Sequence, residues 1–246
     1  VVFSSDGVGW SEPVITLAPN SESGWEDDMN RDCVLYIDGI YKMWYTGQAI
    51  GHSWIGYAES TDGLTFERKQ SEPVLSFEHP WEGDSVMNPC VIYEDGLYRM
   101  WYSAGETYEP NVIAYAESKD GINWKKHENN PIFVCNKDNY FEQDRIGGCD
   151  IVKTEDMGYV MFYIGYEDID TARICVARSD DGISGWERSP HNPLVGPDKG
   201  KWDSEACYKP AVIWDEEAKK WRIWYNGRTK TDEFIGLAEC GERNLF

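Results

Sequence analysis

Acidic side chains recur at matched places along this sequence. Four short segments each begin with an aromatic residue and reach an acid three residues later: Trp25-Glu26-Asp27-Asp28, Trp81-Glu82-Gly83-Asp84, Phe141-Glu142-Gln143-Asp144 and Trp202-Asp203-Ser204-Glu205. Carboxylates that converge in pairs can cleave a glycosidic bond: one protonates the leaving oxygen while the other activates water or attacks the anomeric carbon. A feature present in every copy is also what architecture looks like, and capping loop amides is the competing role. Positions that break the symmetry say more. Slightly further on, the four copies read Arg31-Asp32, Asn88-Pro89, Cys149-Asp150 and Lys209-Pro210, so Asp32 and Asp150 stand where proline is the default. A carboxylate at the mouth of a buried strand is costly unless it is paired or used. Glu205 is the one Glu among three Asp at its place, and its longer arm suits proton donation. Asp32, Asp150 and Glu205 are therefore the candidate acid–base set, with Asp84 as a fourth. Clustering would raise one carboxyl pKa by like-charge repulsion while its neighbour stays ionised. Arg31, Asn88 and Lys209 are candidates to position sugar hydroxyls and balance charge. His52 can be a hydroxyl ligand or proton carrier, or only a solvated loop histidine. Trp25 and Trp81 can stack on a sugar ring or plug the gap between packed sheets.

What must position these residues is a repeat. Ser-x-Asp-Gly followed by an aromatic occurs at Ser4-Ser5-Asp6-Gly7, Ser60-Thr61-Asp62-Gly63, Ser118-Lys119-Asp120-Gly121 and Ser179-Asp180-Asp181-Gly182, a period of roughly 58 residues. Glu239-Cys240-Gly241 is a degenerate fifth copy. Before each of the later copies lies an alternating strand such as Ile55-Gly56-Tyr57-Ala58-Glu59, and before that an apolar pair of runs joined at Asp38-Gly39 or Asp95-Gly96. Two β-rich runs joined by Asp-Gly are a hairpin signal. Each unit is expected to give four short antiparallel strands, and no stretch has convincing helical periodicity. Four-stranded sheets repeated radially make a β-propeller. The expected fold is thus all-β: a five-bladed β-propeller of four-stranded antiparallel blades, one blade incomplete or split between the termini. A four-bladed ring closed by the N-terminal segment is the alternative. The whole of 1–246 is expected to be one domain, with units at about 1–24, 25–80, 81–140, 141–200 and 201–246. The loops that carry the candidate acids would open on one face of its central funnel, together with the strand two to three loops that hold His52, Glu106, Tyr108, Tyr166, Glu167 and Arg228.

Composition narrows the partners. With 23 basic against 44 acidic side chains the net charge is −21, which repels phosphate backbones and anionic lipid, so nucleic acid and membrane surfaces are not expected partners. No apolar run approaches the ~18–20 residues of a bilayer span. Aromatics make up 14% of residues, with 12 Trp and 15 Tyr, an excess that suits strands and sugar-stacking surfaces. The seven cysteines are odd in number and form no CxxC pair, which points to a reducing, cytoplasmic setting. A chain that starts with Val is expected to have been processed or trimmed. Phosphate loops and Rossmann glycines are absent.

The runs Tyr41-x-Met43-Trp44-Tyr45-x-Gly47 and Ile55-Gly56-Tyr57-Ala58-Glu59-Ser60-x-Asp62-Gly63 resemble the five-bladed propeller glycoside hydrolases. These include the furanosidase-type families 32, 43, 62, 68 and 117 and the mannoside phosphorylase family 130. The likeness spans nearly every repeat and is specific for the fold rather than the sugar. Arg31-Asp32-Cys33 resembles the Arg-Asp-Pro motif of families 32 and 68, whose Asp holds sugar hydroxyls and stabilises the transition state; here Cys33 replaces the Pro. The resemblance implies a glycoside hydrolase acting on a neutral oligosaccharide, a furanoside such as an arabinoside or fructoside being one candidate. The alternatives are a glycoside phosphorylase and a non-catalytic propeller that binds sugar or protein. Some relatives hold a structural Ca²⁺ on the axis, but nothing here has metal-ligand spacing, so no cofactor is expected.

Overall fold

Asp-Gly is where the chain turns back on itself. In the computed structural model, which describes residues 1–246, Asp38 and Gly39 take φ values of 51° and 84°, and Asp95 and Gly96 take 52° and 76°. Two successive left-handed residues give a turn whose twist matches its flanking strands. Ile37 thereby pairs with Ile40, joining β1 (Asp28–Ile37) to β2 (Ile40–Ala49). β3 (His52–Ser60) and the two-residue β4 (Glu67–Arg68) complete the first repeat. The second holds β5 (Ser85–Glu94), β6 (Leu97–Glu106), β7 (Glu109–Ser118) and β8 (Lys125–Lys126), with β9 (Phe133–Val134) added along β7. β10 (Arg145–Thr154), β11 (Gly158–Tyr166), β12 (Ala172–Ser179) and β13 (Glu187–Arg188) make the third. The fourth has β14 (Ala206–Asp215), β15 (Lys220–Arg228) and β16 (Glu233–Cys240).

Strand accounts for 51% of the chain and helix for 4%, the latter as three single 3-10 turns at Ser21–Ser23, Pro80–Glu82 and Tyr140–Glu142. The all-β expectation holds. Four antiparallel strands are found in three repeats, while the fourth has three. The chain divides into two compact units: Val1–Met100, Ala104–Tyr108 and Ala116–Lys126 in the first; Trp101–Ser103, Glu109–Tyr115 and His127–Phe246 in the second.

The Ser-x-Asp-Gly motif is a turn that caps itself. In the first unit Asp62 Oδ1 accepts the amides of Leu64 and Thr65 at 2.8 and 2.9 Å, and the Ser60 hydroxyl donates to it at 2.8 Å. Gly63 follows at φ 72°, a conformation that side chains with a Cβ rarely adopt. In the two later copies the carbonyl of the turn glycine anchors a large indole. Trp44 Nε1 donates to Gly121 O at 2.7 Å, and Trp101 Nε1 to Gly182 O at 2.7 Å, both tryptophans being fully buried. Each bond satisfies a buried donor across more than one full repeat, so the motif sets the spacing of one repeat against the next.

These aspartates make the fold acid-sensitive. Partial burial acts to raise the Asp181 pKa, but the amides of Ser184 and Ile183 outweigh it and hold it at about 2. The amides of Leu64 and Thr65 hold Asp62 below the ordinary carboxylate value, and the Asn123 amide does the same for Asp120. A carboxyl depressed in the folded state contributes stability above its unfolded pKa, and that contribution is lost as pH falls through the folded value. Resistance to urea should therefore fall as pH drops from about 4 toward 2. Asp181→Ala should cost about 1 kcal/mol at pH 7 and flatten that acid limb.

Candidate functional site

The first, third and fourth repeats carry a bulge near the start of their first strand. The ladder skips Arg31 between Asn30 and Asp32, Gly148 between Gly147 and Cys149, and Lys209 with Pro210 between Tyr208 and Ala211. The residue at this place is left-handed in every repeat: Arg31 at φ 36°, Asn88 at 55°, Gly148 at 42° and Lys209 at 52°. Only glycine takes such a φ without strain, and strained non-glycine residues and bulges gather where a side chain must be re-aimed. The three residues expected to hold sugar hydroxyls, Arg31, Asn88 and Lys209, are these three. Hydroxyls hold the left-handed residue in place: Thr46 accepts the Asn88 amide at 2.9 Å in the first unit, and Ser103 accepts the Gly148 amide at 2.9 Å in the second.

The bulge also corrects the alignment of the third repeat. Cys33 faces Trp44, Asp150 faces Phe162 and Ala211 faces Trp224, so Asp150 matches Cys33 and Ala211, one place beyond the proline position. Cys149, facing Tyr163 as Asp32 faces Tyr45, occupies that position. Because side chains alternate along a strand, one residue of slip sends Asp150 to the opposite face from Asp32. Its carboxylate accepts the Val212 amide at 2.6 Å. Asp150 is thus tied to a neighbouring strand, and the pairing of Asp32 with Asp150 as twin proline replacements does not hold.

Arg31, Asp32, His52, Asp84 and Asn88 belong to the first unit, and Asp150, Glu205 and Lys209 to the second. Asp32 lines a cavity of about 330 Å³ with Val34, Met43, Phe66, Val1 and Phe3. Asp32 is exposed as a residue, yet desolvation on the cavity side raises its pKa above the ordinary value. The structure does bring Asp84 and His52 together: His52 Nδ1 lies 3.1 Å from the Asp84 carbonyl and 3.6 Å from its carboxylate, which also accepts the Thr107 amide at 2.6 Å. Trp25 has no face free for a sugar. It is 5% exposed, stacks on Tyr45 and covers Gly47 and Gly56, where a Cβ would lie 2.4 and 2.6 Å from its ring. Trp81 stacks on His79 with ring centroids 5.9 Å apart.

Glu205 stands in the largest of these cavities, about 820 Å³, whose wall includes Lys199, Arg228, Lys230, Arg173, Glu167 and Asp170. Arg173 pairs with Glu167 at 2.6 Å, and Arg228 donates to the Asp170 carbonyl at 2.6 Å. The Glu205 amide is spent on the Arg228 carbonyl at 3.0 Å, while its carboxylate has no protein partner. A smaller cavity of about 140 Å³ shares Asp170 and Arg228 and is walled by Tyr166, Tyr208, Arg145 and Glu109. Tyr208, next to Lys209, donates to Glu233, and Asn226 reaches the same carboxylate at 3.3 Å. No group of three or more His, Cys, Asp or Glu side chains is placed to hold a metal ion, and all seven cysteines are free thiols.

Sequence reasoning missed the acid directly after each aromatic. Glu26, Glu82, Glu142 and Asp203 are buried. Arg68 clamps Glu26 at 2.7 and 2.9 Å with Tyr45 as a third partner; Lys126 holds Glu82 at 2.7 Å; Arg188 holds Glu142 at 2.9 and 2.8 Å with Tyr163. The signal was legible as an aromatic–acid pair in all four repeats, matched in three of them by a cation six or seven residues after the turn aspartate: Arg68 after Asp62, Lys126 after Asp120 and Arg188 after Asp181. Arg188→Met should destabilise the protein by about 3–5 kcal/mol in urea melts, because it strands a buried carboxylate. Adding Glu142→Gln should restore much of that loss.

A profile of the glycosyl hydrolases family 32 N-terminal domain matches residues 91–239, more than half of the chain. The chain belongs to this family. With it comes membership of the propeller glycoside hydrolase superfamily that the blade motifs resemble. Among curated relatives, an uncharacterized protein of Mycobacterium tuberculosis (strain ATCC 25618 / H37Rv) is 29% identical over 228 residues, 85% of this chain and 72% of the relative. The 1,2-beta-oligomannan phosphorylase of Thermoanaerobacter sp. (strain X514) is 29% identical over 199 residues, 76% of this chain and 61% of that enzyme. A beta-1,2-mannobiose phosphorylase of the same organism is 33% identical over 138 residues, 49% of this chain and 44% of its own length. Among solved structures, one described as a glycoside hydrolase superposes with a TM-score of 0.80 at 19% identity, covering 99% of this chain and 78% of that one. These folds agree even where side chains do not.

Proposed function

We propose that this protein is a glycoside phosphorylase that shortens a β-1,2-linked mannoside, with Glu205 as general acid. The observation that carries the proposal is a partner-free carboxylate in a large cavity rimmed by Lys199, Lys230 and Arg228, within a chain of net charge −21. Hydrolysis uses two carboxyl groups, about 5–5.5 Å or 6.5–9.5 Å apart. In the second unit the other candidate, Asp150, is engaged by the Val212 amide, and the cavity acids Glu167 and Asp170 already face arginines. A phosphate ion can take the nucleophile's place, and cations are what would hold it. In this reading Glu205 gives its proton to the glycosidic oxygen as the C1–O bond breaks. A phosphate oxygen forms the new bond to C1, releasing mannose 1-phosphate and a glycan one unit shorter, and a phosphate proton restores the acid. The names of two relatives favour a mannoside over the furanoside expected from the blade motifs.

Lys209, lifted on its bulge in the same unit as Glu205, is proposed to hold sugar hydroxyls; within the first unit, Arg31 and Asn88 are proposed as hydroxyl ligands in their own right, with Asp32 and Asp84 as further polar groups. The five-blade count belongs to the same proposal, the partial copy at residues 1–24 being part of the fifth blade. Hydrolysis is the second reading. It is favoured by a solved relative at 24% identity and a TM-score of 0.68, covering 89% of this chain and 68% of its own, described with GH130 hydrolases that target beta-1,2 mannosidic linkages.

The test is incubation of the protein with β-1,2-mannobiose and longer β-1,2-oligomannans, with and without inorganic phosphate, followed by separation of mannose from mannose 1-phosphate. Phosphate-dependent release of mannose 1-phosphate is expected, Glu205→Gln should lower kcat by about 10²-fold or more, and Lys199→Ala with Lys230→Ala should raise the KM for phosphate about tenfold. Free mannose without phosphate would establish hydrolysis instead. Sugar binding with no turnover in either buffer would leave the binding module.

A further inference from the structure

Three repeats finish their sheets in one way, and the fourth does not. β4, β8 and β13 run along β3, β7 and β12, so that Arg68 faces Ala58, Lys126 faces Ala116 and Arg188 faces Ala177. From that place each cation reaches the buried acid of its own repeat. The same segment then returns along the strand: Ile55 donates to Leu75 at 3.0 Å, Ile132 to Ile113 at 3.1 Å and Ile174 to Val195 at 2.9 Å. Ile55, Ile113 and Ile174 are consequently 0% exposed.

β16 repeats the pattern with Ile235, Gly236, Leu237 and Ala238, but no strand lies along its outer edge. Ile235 is 67% exposed, and Trp202 is 38% exposed where Trp25 is 5%. Beyond β16 the chain turns away from that edge: Leu245 enters the core beside Val212 and Trp221, and its carbonyl accepts the Ser189 hydroxyl. Asp203 is left without a cation. It is 7% exposed; Oδ2 accepts the Tyr225 hydroxyl at 3.0 Å and faces the Cys207 thiol at 3.8 Å, while Oδ1 has no partner. Burial, then the Asp203 charge, pushes that thiol up to about 12, so Cys207 stays a neutral thiol and supplies no positive charge. An unpaired buried carboxylate oxygen is costly, and a free strand edge is a template for pairing.

We infer that the outer edge of β16 binds an extended peptide segment bearing an arginine opposite Ala238 and an apolar residue opposite Ile235, with the guanidinium passing to Oδ1 of Asp203. Backbone bonds along the edge supply affinity, and the buried acid supplies selection for the cation. Arginine is named rather than lysine because Asp203 is one methylene shorter than Glu26, Glu82 and Glu142, and the guanidinium has the longer reach and the fork that suits a carboxylate.

The probe is a labelled peptide with the sequence of residues 65–76 of this chain, which already carries the required arginine and apolar residue, titrated into the full chain and followed by fluorescence anisotropy. Saturable binding is expected, together with slowed amide exchange in residues 233–240. The peptide carrying Arg68→Ala should bind at least tenfold more weakly, about 1.4 kcal/mol, and Asp203→Asn in the protein should abolish the difference between the two peptides. No saturable binding up to about 1 mM, protection located away from β16, or equal binding of both peptides to the unaltered protein would each overturn the inference. If Asp203→Asn fails to fold, the comparison of the two peptides on the unaltered protein decides by itself.

Discussion

A carboxylate buried at the start of each repeat is the constraint that the rest of the sheet answers to. Such a group is costly unless its charge is met and its oxygens are bonded, and three of the four repeats meet it in full. Arg68, Lys126 and Arg188 meet it from the outermost strand, and tyrosines such as Tyr45 and Tyr163 add hydroxyls from the second strand. The clamp therefore ties the first loop, the second strand and the last strand of a repeat to one point. It accounts for fourth strands only two residues long, since a strand that delivers one cation needs little more than the pair that aims it. The preceding aromatic belongs to the same device, with Trp25 lying flat on Gly47 and Gly56 because any Cβ there would strike its ring.

Chemistry is added to this scaffold by departure from it. A left-handed residue near the start of the first strand is common to every repeat, but its type differs: arginine, asparagine, glycine and lysine in turn. The loop acid is likewise common, yet only at Glu205 does it stand free in a large cavity among cations. Asp84, at the matching place, is occupied by His52 and the Thr107 amide, and Asp144 is paired with Arg145 at 2.6 Å. Equivalent positions in a repeat thus divide between support and chemistry according to what neighbouring loops bring to them.

The repeat period, the hairpins at Asp38-Gly39 and Asp95-Gly96 and the absence of long helices follow from local rules, turn residues that accept positive φ and runs of alternating β-formers. Those rules act over a few residues, so the sequence alone determined them. Arg31, Asn88 and Lys209 could also be singled out from it, because they precede or replace a recurring proline pattern. The third repeat could not be aligned in that way. Gly148, not Cys149, is the bulged residue, and only the pairing of Asp150 with Phe162 reveals the slip. Which acids are spent and which are free was decided by tertiary structure alone. Glu26 and Asp28 look alike in sequence, but one is buried against Arg68 from 42 residues away and the other is exposed. Charge pairing over that distance depends on which strands lie side by side, and no local pattern of residues encodes it.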